Sequence, residues 1–457
     1  MVRCKMSEHS DSVLQDWGEL VAFEPTRVLR PGGIDELKAM LEEVHRDGGR
    51  VRVPGSLHSC SEIVVSDTLL DVSGLPKSIE LEEDGEMVTA TANVSLDEFL
   101  AELGRHGKSV TATGGTIHQT LAGLISTGTA PASSRHGLYE KLEWVELVSV
   151  DAEGRAVERR ISRQDPEFAA AICSLGLLGV LTRVNFRLVD ELYFDVVMKV
   201  VDLDEVLDDL DATSAKYDFW RVNWMQKSDK ALLWAATAVP RESSEPDGDY
   251  PTEPAEHVLD WVLQAIDKIA DTGPLLNPVL EGVYRVMAFA YGENRFSGPL
   301  RNMLPVDRRA PLRVAMAEWS FRPQDLQRVL DECREYFDAA GWPNIPTEIE
   351  LTRIDGALMS PWNWEGLDYI VKFNWMYLTE VCRSPGEKEQ IHAHLRGLWE
   401  HLQRKGIPFK AHWGKVNFID PAFVRDNHDF EAFRPLIAPI FVNDYLAERI
   451  GPLEDQP

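Results

Sequence analysis

The chain has 457 residues, 44% of them apolar, with 13 Trp and 17 Phe, which supports roughly two or three packed domains and excludes a disordered chain. A formal net charge of −28 excludes nucleic-acid backbones and anionic membrane surfaces as partners, because both would repel it. The five cysteines are scattered without a C-x-x-C pair, the stretch Met1–Asp11 is polar, and no apolar run approaches the ~18 residues of a membrane span. A cytoplasmic protein with no leader, no membrane span, no disulfide framework and no zinc site is expected.

The region from about 24 to 190 reads as alternating strands and helices. A helix is predicted over Asp35–Arg46, with Leu37, Met40, Leu41 and Val44 on one face. Strands are expected at Arg50–Val53, Ile63–Val65, Leu69–Val72 and Met87–Ala92, then a helix at Leu96–Arg105 and a Thr/Gly-rich stretch from Thr111 to Thr129. Val145–Val150 and Val180–Val189 are read as strands with a helix near Asp165–Ala171 between them. No G-x-G-x-x-G follows the first strand, so a doubly wound dinucleotide fold is excluded.

Beyond 190 the pattern predicts a helix at Asp204–Ala215, an exposed acidic loop at Ser243–His257, and helices at Val258–Ile269 and Pro278–Tyr291. Strands follow at Leu312–Phe321, Glu348–Thr352, Tyr369–Tyr377 and Val416–Ile419, with helices at Pro323–Ala339, Arg383–Lys405 and Val442–Ile450.

Four stretches have the composition either of a binding site or of ordinary tight or surface loops. Val53-Pro54-Gly55-Ser56-Leu57-His58-Ser59 is a small-residue loop whose backbone N–H groups a phosphate can approach, with an imidazole beside it. Thr113 to Thr129 concentrates glycines and hydroxyls. Ser174-Leu175-Gly176-Leu177-Leu178-Gly179-Val180 is a small-residue entry to a strand, and His412-Trp413-Gly414-Lys415 places an imidazole, an indole and a cation together. Alternation puts Glu348, Glu350 and Thr352 on one strand face, where the carboxylates are either an acid/base pair or a solvent face, the solvent face being the expectation. A metal site at His392, His394 and His401 is rejected: the first two point to nearly opposite sides of the predicted helix, and the last two are about two turns apart.

In their order these stretches resemble the FAD-binding vanillyl-alcohol oxidase (PCMH-type) superfamily, and within it the sugar-lactone/alditol oxidase branch that includes the D-arabinono-1,4-lactone and L-gulonolactone oxidases. Gly55–Ser59 fits the family's G-x-G-H-S loop, Gln119–Thr129 its Q-T-x-A-G-x-I-S-T-G-T segment, Ser174–Val180 its S-L-G-x-L-G-V, and His412–Lys415 its terminal H-W-x-K. Trp17, Pro31 and Phe441-Val442-Asn443 also fall where the family expects them.

The resemblance implies an α+β fold: a two-subdomain FAD module at 1–190, a substrate cap with an antiparallel sheet flanked by helices at 191–420, and a segment at 421–457 that returns to the FAD module. It implies FAD held by Pro54, Gly55, Ser56, Leu57, His58, Ser59, Thr113, Gly114, Gln119, Gly123, Ser126, Thr127, Gly128, Gly179, Val180 and Lys415, covalently through His58. Glu348, Glu350, Asn374, His412 and Lys415 would carry catalysis: oxidation of a CH–OH group by hydride transfer, with Lys415 stabilising the reduced ring and O2 or another acceptor closing the cycle.

Several positions depart from the family pattern. Glu348-Ile349-Glu350 stands where Glu-x-Arg is usual, Lys372-Phe373-Asn374 for His-x-Thr, Ala130-Pro131 for His-Gly, Leu57 for the glycine before the histidine, and Asn93 where Ala-Gly is common. An acid in place of the cation suggests a modified or amine-bearing small molecule. Amine (C–N) oxidation and flavin binding without turnover stand as alternatives.

Overall fold

The structure, a computed structural model, describes residues 13–243, 275, 281–282, 285–286, 292–303, 313–379, 382 and 384–453. The expected acidic loop at 244–257 and helix at 258–269 lie outside the described residues, as does most of the helix expected at 278–291.

In the first part, β1 (Arg27–Leu29) leads to α1 (Ile34–Arg46), which buries Leu37, Leu41 and Val44 and carries acids in its first turn and bases in its last. β2 (Thr68–Leu70) pairs parallel with β1. β3 (Ile79–Leu81) and β4 (Met87–Thr91) precede α2 (Leu96–Arg105), whose start is set by a reciprocal capping box between Ser95 and Glu98. After α3 (Leu121–Ser126) come β5 (Leu142–Val150), β6 (Ala156–Ser162) and β7 (Val180–Arg187). The order β3-β4-β7-β5-β6 forms an antiparallel five-stranded sheet.

The second sheet has eight antiparallel strands. In chain order they are β8 (Tyr193–Asp202), β9 (Phe219–Trp224), β10 (Lys230–Val239), β11 (Asn294–Pro299), β12 (Val314–Phe321), β13 (Thr347–Arg353), β14 (Tyr369–Leu378) and β15 (Lys410–Ala411). Their spatial order is β11-β8-β10-β9-β13-β14-β12-β15. The helices α4 (Leu326–Ala340) and α5 (Pro385–Arg404) contribute Phe337 and Trp399 to the apolar core of the sheet, where Trp399 meets Trp319 with ring centroids 5.2 Å apart. α6 (Asp444–Ile450) is the last described helix.

Three expected strands are corrected. Arg50–Val53 makes only a single bridge, Arg52 to Leu69. Ile63–Val65 belongs to a tight helical turn at Glu62–Val64, because side chains capture its carbonyls: Asn443 Nδ2 donates to Glu62, Ile63 and Val65, and Arg52 Nε donates to Ile63. Val416–Ile419 is irregular: Asn417 Nδ2 instead donates to the carbonyls of Trp413 and Lys415. The helix expected at Asp204–Ala215 is two short ones, Leu203–Leu207 and Leu210–Lys216, the second capped by the Asp209 carboxylate.

The C-terminal segment packs back on the first part. Val51 N–H donates to Ile440 (2.8 Å) and Ala438 N–H to Leu177 (2.9 Å), and Ala438, Ile440 and Phe441 share a core with Leu37, Leu41 and Val51.

Candidate active site

Two cavities adjoin. One, of about 120 Å³, is lined by Pro54–Ser59, Gly123, Ser126, Thr127, Gly179 and Val180 together with Arg52 and Asn93. The other, of about 320 Å³, is lined by Thr113, Glu348, Glu350, Asn374, His412 and Lys415, and also by Glu318, Arg221 and Lys372. His58, Ser59, Gln119 and Thr127 line both, so the cavities meet at the histidine.

The smaller cavity has the chemistry of an anion cradle. Among the described residues, the backbone N–H groups of Gly55, Ser56, Leu57, His58 and Ser59 donate to no protein acceptor. Leu57 takes φ 57, a left-handed conformation that explains why a glycine is usual at this position. Arg52 is buried and among the described residues has no carboxylate partner; it donates to the carbonyls of Ile63 (2.9 Å), Leu175 (2.7 Å) and Phe441 (2.7 Å), so three chain segments close around the cavity. Burial lowers its guanidinium to about 10. Among the described residues, Asn93 Oδ1 and Gln119 Oε1 are buried without partners. Free backbone donors, an uncompensated buried cation and orphaned polar atoms fit a large anionic ligand such as FAD.

Gly114 and Gly128 line neither cavity and act by packing. A Cβ on Gly114 would lie 2.2 Å from Thr129 Cγ2, and one on Gly128 3.1 Å from Cys173 Sγ.

His58 stacks on Trp17 with ring centroids 4.6 Å apart. Burial, reinforced by Lys415 and His118, lowers its imidazole to about 4, so the ring is neutral and keeps a lone pair at neutral pH. His412 is likewise neutral, lowered to about 4 mainly by burial, and its Nδ1 accepts the Gly414 N–H at 3.0 Å.

The floor of the larger cavity is one face of the eight-stranded sheet. The register sets Glu350 opposite Arg221 on one side and Lys372 on the other, and Glu348 opposite Asn223 and Asn374; Glu318 also lies opposite Asn374. Because side chains alternate, these residues share a face while Ile349, Leu351, Phe373 and Trp319 fill the core on the other. Glu348 and Glu350 therefore do not form the expected solvent face. Lys372, with a side chain only 1% exposed, lies 2.6 Å from Glu350 Oε1 and 3.0 Å from Glu318 Oε1. Asn374 Nδ2 donates to Glu348 Oε1 at 2.9 Å, and Arg221 Nε lies 3.4 Å from Glu348 Oε2. Among the described residues, Asn374 Oδ1 and Trp234 Nε1 are buried at this cavity without partners.

Sequence reasoning missed Lys372, Glu318 and Arg221. Alternation along β14 places Lys372 on the face of Asn374, a signal that was present; which carboxylates meet it depends on strand order. The missing cation of the Glu-x-Arg pattern is thus supplied one strand away, and Glu350 is already paired. With that pairing, Glu350 no longer by itself points to an amine-bearing substrate. Of the histidines rejected as a metal site, His394 Nδ1 lies 2.7 Å from Tyr377 Oη and His401 Nε2 2.9 Å from Glu332.

Comparison with known proteins agrees with this geometry. The model of the FAD binding domain matches residues 25–159, and that of the D-arabinono-1,4-lactone oxidase family matches 184–448. The L-gulonolactone oxidase of Scyliorhinus torazame is 22% identical across 94% of this chain and 97% of its own length. The D-arabinono-1,4-lactone oxidase of Kluyveromyces lactis is 28% identical over 49% of this chain and 44% of that protein. Cholesterol oxidase from B. sterolicum shares the fold, with a TM-score of 0.76 at 14% identity over 96% of this chain and 97% of that one. The chain belongs to the D-arabinono-1,4-lactone oxidase family, as an FAD-dependent oxidoreductase acting on a CH–OH group.

Proposed function

We propose that the enzyme oxidises an uncharged sugar lactone or a closely related polyol at a CH–OH carbon, with O2 as electron acceptor. The observation that carries this reading is a pair of buried polar atoms at the cavity floor: among the described residues Asn374 Oδ1 and Trp234 Nε1 have no partner, and they offer an acceptor and a donor suited to hydroxyl and carbonyl groups. The carboxylates there already have cationic neighbours, Lys372 beside Glu318 and Glu350 and Arg221 beside Glu348. Amine oxidation and flavin binding without turnover are not favoured.

FAD would be held by the N–H groups of Gly55–Ser59, with Thr113, Gln119, Gly123, Ser126, Thr127, Gly179 and Val180 around it, and would supply the two-electron oxidant. The neutral ring of His58 supports a covalent attachment. Lys415 supplies a cation for the negative charge that reduction brings, and Asn374 with Glu348 orients hydroxyls. Residues 1–190 and 421–457 would form the FAD module, supported by the shared core of Ala438 to Phe441, and 191–420 the substrate cap. A cytoplasmic location is supported by the free thiols of Cys60, Cys173, Cys333 and Cys382. Among the described residues no helix is long and apolar enough to cross a membrane.

The test is anaerobic bleaching of the flavin absorbance by a panel of aldonolactones, alditols, aldonic acids and amines, followed by admission of air. Bleaching by neutral lactones or alditols and reoxidation with peroxide release are expected. Bleaching by amines or acids alone would refute the reading.

A further inference from the structure

The trio Glu318–Lys372–Glu350 holds two carboxylates and one ammonium, all with side chains no more than 10% exposed. Fully ionised, it carries one uncompensated negative charge where water screens poorly, so it has room for one proton. The neighbours decide which carboxylate takes it. Glu318 has Lys415 as well as Lys372 beside it, and these cations outweigh its burial and lower its carboxyl. Glu350 is flanked by Glu348 on its own strand and by Glu318, while Arg221, opposite it in register, turns to Glu348.

Of the other titratable groups at this cavity, His412 Nδ1 accepts the Gly414 N–H, Glu348 accepts from Asn374 and has Arg221 beside it, His58 packs on Trp17, and Lys415 is a cation near Glu318. We propose that Glu350 takes the proton of the reacting substrate hydroxyl, and that Lys372, held between Glu350 and Glu318, is the positioning residue that makes it ready to do so. This rests on the oxidation reading above. The O–H bond breaks and its proton bonds to a Glu350 oxygen. The electron pair left on the substrate oxygen becomes the second C–O bond, and FAD, when bound, would supply the two-electron oxidant for the C–H pair. Burial, with Glu348 and Glu318 nearby, raises the Glu350 carboxyl well above the usual carboxylate range despite Lys372, which suits a base working near neutral pH.

The experiment compares the holoenzyme with Glu350→Gln and Glu318→Gln. Glu350→Gln should lower kcat by about 10²-fold or more with flavin content and absorbance unchanged, and should remove the acid-side ionisation from kcat/KM. Glu318→Gln should keep that ionisation and move it to lower pH, because Lys372 then serves Glu350 alone; a purely structural role would move neither. Infrared difference spectra of the resting holoenzyme between about pH 5 and about pH 9 supply a readout without turnover. One protonated-carboxyl band should be present in the wild type, absent in Glu350→Gln and shifted in Glu318→Gln. A band that survives in Glu350→Gln, or wild-type kcat in that variant, overturns the proposal. If neutral lactones and alditols fail to bleach the flavin but the band behaves as stated, the substrate reading falls, the proton site stands, and kcat is compared with whichever donor does bleach it.

Discussion

The backbone N–H of Cys60 donates to the carbonyl of Gly414 at 2.7 Å, joining the loop of His58 to the turn of Lys415. Ser61 Oγ adds a bond to the carbonyl of Trp413 at 2.9 Å. The residues at which the two cavities meet are therefore held by a contact between distant parts of the chain.

Close approach at this contact requires a glycine. A Cβ on Gly414 would lie 2.8 Å from Ser59 Oγ and 3.2 Å from His412 Cε1. Gly414→Ala should destabilise the protein by about 1–3 kcal/mol and reduce FAD content, read by thermal melts and by the flavin-to-protein absorbance ratio.

His58 is buried, neutral and at the junction of the cavities. In the wild type the flavin should stay with the acid-precipitated protein, and in His58→Ala it should appear in the supernatant. The variant's Tm should also become dependent on added FAD, because only then does binding follow mass action. Flavin released equally from both proteins would refute the covalent attachment.

Leu57 sits at φ 57, which costs a side-chain-bearing residue roughly 1–2 kcal/mol relative to glycine. Leu57→Gly should raise stability by about 1 kcal/mol, part of the relief being offset by the freer unfolded chain. Urea denaturation measures this directly, and a loss of stability would show that Leu57 packing outweighs the strain.

His428 is buried with neither ring nitrogen partnered among the described residues, and burial lowers its imidazole to about 3. The folded value lies below the unfolded one, near 6.5, so the unfolded chain takes up the proton first and stability is lost as pH falls below that point. His428→Phe removes this loss. Its stability relative to wild type should change little between about pH 7 and 8 and gain roughly 2 kcal/mol by about pH 5, as denaturant melts at the two pH values would show.

Much of the architecture was legible because it is local. The helix expected around Leu96–Arg105 forms there, its start set by the Ser95/Glu98 box, and alternation identified the strand face of Glu348, Glu350 and Thr352. Ile63–Val65 misled because side chains from Arg52 and Asn443, remote in sequence, took the carbonyls that a strand would have used.

By itself the sequence pointed to the cofactor class through its resemblance to a flavin-binding family: four motifs stand in that family's order, whereas the composition of the loop around His58 alone suits a phosphate cradle or an ordinary tight turn equally. The meaning of Glu350 was decided only by tertiary structure. A lone acid on a strand face reads as solvent-exposed or as a call for a cationic substrate. Strand order instead sets it 2.6 Å from Lys372, and the charge of a buried carboxylate depends on its neighbours in space, which spacing along the chain does not specify.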